Sequence, residues 1–413
     1  MKRILFLETN TTSTGAQAMK LSKEMGYHVH FWTNDPSQYD SIKYDNPTDL
    51  ADEIKVIDTY DAAKMIKAIK NEQIQYHGVL AFDDYHLMPA AEIAKKLHLN
   101  GHETKSLSLV RNKNLMRDYL KNLIDKSGFY QPKFQTINED HSSHLYNDNY
   151  EFPLVFKPID DSGSNGVRIC HNKNELIEAF NVEKERFLNP RGYKLQRSWL
   201  AEEYISGDEY SAEMLYTKEG WKLVSVTLKE TYGEHAIESG HVSSKSIKPI
   251  PDIEDRCIKL LNLFNLDFGA AHIEFKLKDS KPYLIEINPR LAGDYIPALV
   301  KTATGVDMVE HLLKQSLGID AKINFSTDES AAIKFFIPKR PGIYKKAANL
   351  KEIMSYQGII QIDTVNLPVH FTQAKSSYER IAFAIAKAKR PETAFKAAEK
   401  AISDLRWDVS YSN

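Results

Sequence analysis

The sequence predicts a multidomain protein of mixed α/β and α+β class that opens with a doubly wound parallel sheet. Three observations predict it. At 413 residues the chain is too long for one ordinary core, and its 42% hydrophobic content can fill several. Short apolar runs alternate with helical stretches through the N-terminal part. Between residues 200 and 290 strand-like runs then follow one another closely.

The alternation begins with Ile4–Leu7 as a strand, a Thr/Ser/Gly turn, a helix over Ala16–Met25 and a strand over Tyr27–Trp32. Ile54–Ile57 and Gly78–Phe82 repeat the strand pattern. Helices follow them at Ala62–Lys70 and Pro89–Leu97, where Pro89 suits a first helical turn. Ligands of such sheets sit beyond the carboxyl ends of the strands, which places Glu8, Asn10, Asp83 and Asp84 at a candidate substrate site. The two aspartates suit either a cationic substrate or the capping of the next helix. A helix over Leu109–Asp125 is expected to bury Leu115, Tyr119, Leu120 and Leu123. The polar stretch NEDHSSHLYNDN reads as a surface loop before the strand PLVFKP. Strands are expected at Leu200–Ile205, Tyr210–Tyr216, Lys222–Thr227, Ala270–Leu277, Pro282–Ile287, Ala331–Ile337 and Ile359–Ile362. A closing helix carries the stripe Ala394, Ala398, Ile402 and Leu405.

Composition narrows the function. With 54 basic and 56 acidic residues there is no electrostatic footprint for nucleic acid and no polybasic membrane patch. Two cysteines, Cys170 and Cys257, make no disulfide framework and suit a reducing cytoplasm. The apolar run Ile4–Leu7 is too short for a signal peptide, and nothing approaches a membrane span, so a cytoplasmic location is expected.

Four segments carry the chemistry. In FKPIDDSGSNGV, Lys157 ends a strand, and Ser162, Gly163, Ser164 and Gly166 form a loop whose backbone can approach phosphate oxygens. An ordinary hairpin turn would carry the same residues. In AEEYISGDEYS, backbone groups around Glu202–Tyr204 can meet an adenine edge while a carboxylate takes ribose hydroxyls; a solvated hairpin is the plain alternative. In AAHIEFKLKDSKPYLIEINPR, period two puts His272 with Glu274 and Glu286 with Asn288 on strand faces joined by a turn at Lys278–Lys281. Glu274, Glu286 and Asn288 converge as hard oxygen donors for magnesium, and Arg290 follows with positive charge. In RNKNLMRDYL, Lys113 stands near a helix N-terminus, a place that favours a cation only if it serves an anion. The first turn, ETNTTSTG, lacks GxGxxG, which argues against a nicotinamide dehydrogenase.

The order Lys113, Lys157 with its Gly/Ser loop, EEYISGDEYS, Glu274 and EINPR resembles the ATP-grasp superfamily. The resemblance implies an ATP-grasp fold with an N-terminal doubly wound domain at 1–105. An ATP-grasp domain would follow at 106–325, with a lid-like subdomain near 130–204, and a C-terminal α+β domain at 326–413. It implies that Lys113, Lys157 and Ser162–Gly166 hold ATP phosphates, that Glu202, Glu203, Tyr204 and Ile205 form the adenine hinge, and that Glu209 meets the ribose. Glu274, Glu286 and Asn288 would hold two magnesium ions, with manganese as an alternative, and Arg290 would stabilise the transferred phosphoryl group.

RLAGDYIPALV departs from the biotin carboxylase continuation, and no biotin-attachment segment is present. The sequence looks more like the bacterial L-amino-acid ligases, which make dipeptides and carry Glu-x-x-His on a loop before the metal strands. Here ESGH supplies Glu238 for the substrate amino group and His241 for substrate or phosphate, although the usual proline after that His is missing. The resemblance further implies carboxylate and amine substrates, with His272 and Gly293 near them, and relatives that are often dimers. A carboxylase or purine-pathway ligase using bicarbonate or another carboxylate is the alternative within the same fold.

Overall fold

A computed structural model of the chain describes residues 2–10, 14–40, 42, 45–139, 145 and 149–412. Most of the polar stretch 138–149 and residues 11–13 of the first turn therefore lie outside the described residues.

Strands β1 (Arg3–Leu7), β2 (His28–Thr33), β3 (Glu53–Val56) and β4 (Gly78–Ala81) form a parallel sheet in the order β3-β2-β1-β4. Alternation along β1 explains why both faces are covered. Ile4 and Phe6 pack with Met19 of helix Thr14–Glu24 and with Met308 and Leu312 of helix Met308–Ser316. Leu5 and Leu7 pack with Met65 and Ile69 of helix Ala62–Asn71 and with Ile93 of helix Leu87–Lys96.

The single helix expected over Leu109–Asp125 is broken. Asn112 takes an extended backbone and its side chain accepts from the Leu115 N–H, so Thr104–Arg111 ends and Lys113–Leu120 begins there. The buried face of the second helix is also not the apolar one. Lys113, Met116, Arg117 and Leu120 are buried, whereas Leu115 is 43% exposed. Spacing of i, i+3, i+4, i+7 is kept, but two of the four positions are charged because ion partners wait inside.

Strands β5 (Phe134–Asn138), β6 (Leu154–Pro158), β7 (Arg168–Cys170) and β8 (Ser198–Glu203) make a small antiparallel sheet, β5-β8-β6-β7. Phe156 and Trp199 pack it against Leu176 and Phe180 of helix Lys173–Glu183.

The chain then runs through β9 (Asp208–Thr217), β10 (Gly220–Tyr232), β11 (Ile237–Ser244), β12 (Ala270–Lys278) and β13 (Lys281–Asn288). It continues through β14 (Ser330–Phe336), β15 (Gly342–Ala347), β16 (Ile359–Thr364), β17 (Val369–Phe371), β18 (Ala382–Ala388) and β19 (Trp407–Tyr411). An eight-stranded antiparallel sheet has the order β13-β12-β9-β10-β11-β14-β18-β16, so strands after residue 325 pair directly with those before it. β17, β15 and β19 form a separate small sheet. The closing helix Pro391–Ser403 buries Ala394, Ala398 and Ile402, and Leu405 is buried just beyond its end. Among the described residues no helix is long and apolar enough to cross a membrane.

Candidate active site

A cavity of about 1000 Å³ opens between the small sheet, the eight-stranded sheet and the carboxyl end of the parallel sheet. Its size is that of a large small-molecule site.

One end is built for anions. Lys157, near the end of β6, and Lys113, the first residue of its helix, are both 5% exposed and both line the cavity. Lys157 Nζ lies 2.6 Å from Glu202 Oε2, and Lys113 Nζ lies 2.9 Å from Glu286 Oε1 while donating to the Asp161 carbonyl at 2.8 Å. The loop between β6 and β7 bends through left-handed residues, with φ of 67° at Gly163, 58° at Ser164 and 71° at Gly166. Ser162 Oγ is 2.9 Å from the Tyr85 hydroxyl, and a Cβ on Gly166 would meet Glu183 Oε2 at 2.4 Å. Successive turns of this kind aim backbone N–H groups into a concavity suited to phosphate.

The segment joining β8 to β9 lines the next part, where Glu203, Tyr204, Ile205 and Glu209 all face the cavity. Gly207, with φ of 111°, is required: a Cβ there would sit 2.1 Å from the Leu277 carbonyl oxygen. Glu202 also lines the cavity but is fully engaged, its oxygens accepting from Arg117 Nε at 2.8 Å and lying beside Lys157. Burial alone would raise this carboxyl, but Arg117 and Lys157 outweigh it and hold it at about 2. A group depressed on folding stabilises the fold above its unfolded pKa, about 4.3, and that stability drains as pH falls toward 2. Glu202→Gln, which leaves Arg117 facing no carboxylate, is expected to cost about 3–5 kcal/mol at pH 7. It should also flatten the acid limb of stability below pH ~4.3. Urea midpoints taken from pH 7 down to 2 check this; equal midpoints at pH 7 would refute it.

The floor is the β12/β13 hairpin. Its two-residue turn, Asp279 and Ser280, has φ of 51° and 60°, the geometry that matches strand twist. The register sets Glu274 opposite Glu286 and His272 opposite Asn288. Like charges opposite one another repel, and cations answer them: Lys229 Nζ lies 3.1 Å and His272 Nε2 2.8 Å from Glu274 Oε1, with Lys113 on Glu286. Burial would raise Glu274, but Lys229 and His272 hold it well below the carboxylate range. His272 is itself pinned by Glu213 at 2.9 Å; burial opposes its charge, yet Glu213 and Glu274 lift it to about 9. Two carboxylates and an amide oxygen on the cavity floor form a hard donor set that fits magnesium.

Arg290 extends from the end of β13. Its guanidinium donates to Asp84 Oδ2 at 2.5 Å and to the Leu291 carbonyl at 2.9 Å, while its Nε is buried without a partner. Asp84 also takes Arg111 at 2.8 Å, so it is an arginine clamp. Asp83 instead accepts from the N–H groups of Tyr85 and His86, each at 3.0 Å, and from His86 Nδ1 at 2.7 Å, ahead of helix Leu87–Lys96. Both aspartates line the cavity, yet each is already matched by cationic or N–H groups of the protein.

Glu238 and His241 do not sit on a loop; they belong to β11. Three residues apart, they would face opposite ways on a regular strand. Between the pairs Glu230↔Gly240 and Thr231↔Glu238, Ser239 is an extra residue, and this bulge turns both side chains toward Asp294. Glu238 reaches the cavity, 2.6 Å from Lys229 Nζ, and burial foremost keeps its carboxyl raised despite that lysine. His241 is fully buried, 3.2 Å from Asp294 Oδ2, and does not line the cavity. Glu8 is also closed off, accepting from Asn34 N–H at 2.6 Å, Thr59 at 3.0 Å and the Tyr39 hydroxyl at 2.5 Å. Asn10 and Gly293 do line the cavity.

Sequence reasoning missed four cations. Arg117 orients Glu202, and Lys229 gathers Glu238, Glu274 and Glu209 at 2.6, 3.1 and 3.7 Å. Arg380 grips both oxygens of Asp294 at 2.6 Å, and Arg191, in the segment between helix Lys173–Glu183 and β8, reaches the Thr9 carbonyl at 3.0 Å. For Lys229 a signal existed: it continues the alternation of its strand past Thr227.

Residues 150–298 match the family model of the ATP-grasp domain. A solved L-amino acid ligase from Bacillus licheniformis superposes with a TM-score of 0.82 at 18% identity, covering 100% of this chain and 99% of that one. Protein y4rH of Sinorhizobium fredii is 22% identical over 423 residues, 99% of this chain and 84% of its own length. Dapdiamide A synthase of Enterobacter agglomerans is 25% identical over 230 residues, 51% of this chain and 52% of its own.

Proposed function

We propose that this chain, which carries an ATP-grasp domain within an ATP-grasp fold, is a carboxylate–amine ligase that joins L-amino acids through an acylphosphate. The observation that carries the reading is one cavity bounded by Lys113 and Lys157, by the Glu274/Glu286/Asn288 floor and by Arg290, with Glu238 lining the same space.

Lys113, Lys157 and the Ser162–Gly166 loop would bind the phosphates, and the segment from Glu203 to Ile205 would take the adenine. Glu274, Glu286 and Asn288 would hold magnesium, which neutralises charge on the phosphates during transfer. A substrate carboxylate attacks the γ-phosphoryl group, forming an acylphosphate and ADP. Arg290, fixed by Asp84, spreads the developing negative charge. The Gly-rich loop over the site keeps water from the acylphosphate. Glu238, raised by burial, is suited to take a proton from the incoming ammonium. The free amine attacks the acyl carbon, the amide forms and inorganic phosphate leaves. The names of the structural neighbour and of the synthase support an amide product.

ADP release across pairwise mixtures of L-amino acids with ATP and magnesium tests the proposal. A product mass equal to two amino acids less water supports it. Silence across the set, with release on bicarbonate or another carboxylate, would overturn the amino-acid assignment.

A further inference from the structure

The N-terminal sheet carries a second cluster of donors at the end opposite the cavity. His28 and His30 share one face of β2 by period two, and the parallel register sets His30 directly beside Glu53 on β3. Ligand atoms of the three side chains all lie within 4.8 Å of one another. Asp83 and Asn10 lie beyond the carboxyl ends of β4 and β1, whereas His28 and Glu53 begin their strands.

Two further observations separate this cluster from a chance grouping. His30 is 1% exposed, and its Nδ1 lies 2.9 Å from the Tyr76 hydroxyl. The Tyr76 hydroxyl on Nδ1 orients the ring, as outer partners do in metal sites, and directs Nε2 toward Glu53. Nε2 is buried and makes no hydrogen bond, standing 3.3 Å from Glu53 Oε2. His28 Nδ1 is likewise buried and without a hydrogen-bond partner. Donors around a tetrahedral ion at ~2.0–2.2 Å sit roughly 3.3–3.6 Å apart, which the His30–Glu53 pair already meets. Glu53 has a half-exposed side chain free to swing inward.

We propose that His28, His30 and Glu53 form a binding site for a divalent transition-metal ion of the zinc class. Two imidazoles and one carboxylate favour zinc or its neighbours over magnesium, and three protein ligands leave a fourth position for water. The ion would pin β3, an edge strand four residues long, to β2. It takes no part in the chemistry proposed for the cavity.

Cobalt(II) is the probe, titrated into the EDTA-treated full chain in a large excess of magnesium, which occupies hard oxygen sites. The expected result is one equivalent of tetrahedral-type visible absorption, displaced by zinc, with a zinc-dependent rise in Tm. His28→Gln and Glu53→Gln should each weaken binding by about tenfold or more, and Glu53→Gln, at a half-exposed position, carries no risk to folding. Basal activity should be unchanged in both variants. No absorption in the wild type would overturn the site, and so would a signal equal in both variants. Loss of the signal in His241→Gln instead would move the ion to the Glu238, His241 and Asp294 cluster and overturn it as well.

Discussion

Arg290→Ala is expected to cut turnover by about a thousandfold or more while nucleotide affinity changes by only a few-fold. The side chain makes two hydrogen bonds, to Asp84 and the Leu291 carbonyl, and keeps a buried Nε with none. Burial opposes its charge, but Asp84 outweighs burial, so the guanidinium is held cationic in a site where its field is little screened. A charge fixed before the reaction, and aimed at where negative charge develops, acts on the transition state more than on bound ATP. Arg290→Lys should recover little, because an ammonium cannot keep the Asp84 clamp and a second donor together. ADP release under saturating substrates, beside calorimetric titration of ADP, measures both halves. Turnover within tenfold of wild type in the alanine variant would sink the role.

Lys229→Met should be among the most damaging single changes to the fold. The lysine is buried and stands against Glu238, Glu274 and Glu209. Burial works against its charge, yet the three carboxylates raise its proton affinity well above the ordinary range. Removing it leaves buried negative charge unanswered, a loss of about 3–5 kcal/mol. Coupling gives the sharper check. Lys229→Met combined with Glu238→Gln should be less unstable than the sum of the two single variants, since each removes the reason for the other's penalty. Denaturant midpoints of the four proteins close the cycle, and strict additivity would refute the pairing.

The fold was readable where apolar period and turn chemistry agree. β1, β2 and β4 are four-to-six-residue apolar strands, and the β12/β13 hairpin follows from its Asp-Ser turn and alternating faces. The chain was harder to read where charge is buried. Lys113 and Arg117 occupy the core face of their helix because Glu286 and Glu202 meet them from other elements. No local period encodes that. Glu238 and His241 misled for a related reason, since the one-residue bulge at Ser239 exists only in the pairing of two strands. Arg380 and Asp294 are 86 positions apart, and only the folded sheet brings them together.

The eight-stranded sheet makes the cavity a mechanical object as well as a chemical one. Its β12 and β13 carry the floor of Glu274, Glu286 and Asn288, and its β18 contributes Phe383 to the lining of the same cavity. Strand pairing links one to the other through β9, β10, β11 and β14, with bulges where β10 meets its two neighbours. The two walls therefore belong to one continuous sheet. Strands β5 to β8 belong to a different, smaller sheet, which closes another side of the same cavity through Val155, Lys157 and Glu202. A site framed in this way sets the room for its substrates by the width between strands of one sheet, and the second sheet supplies the remaining wall.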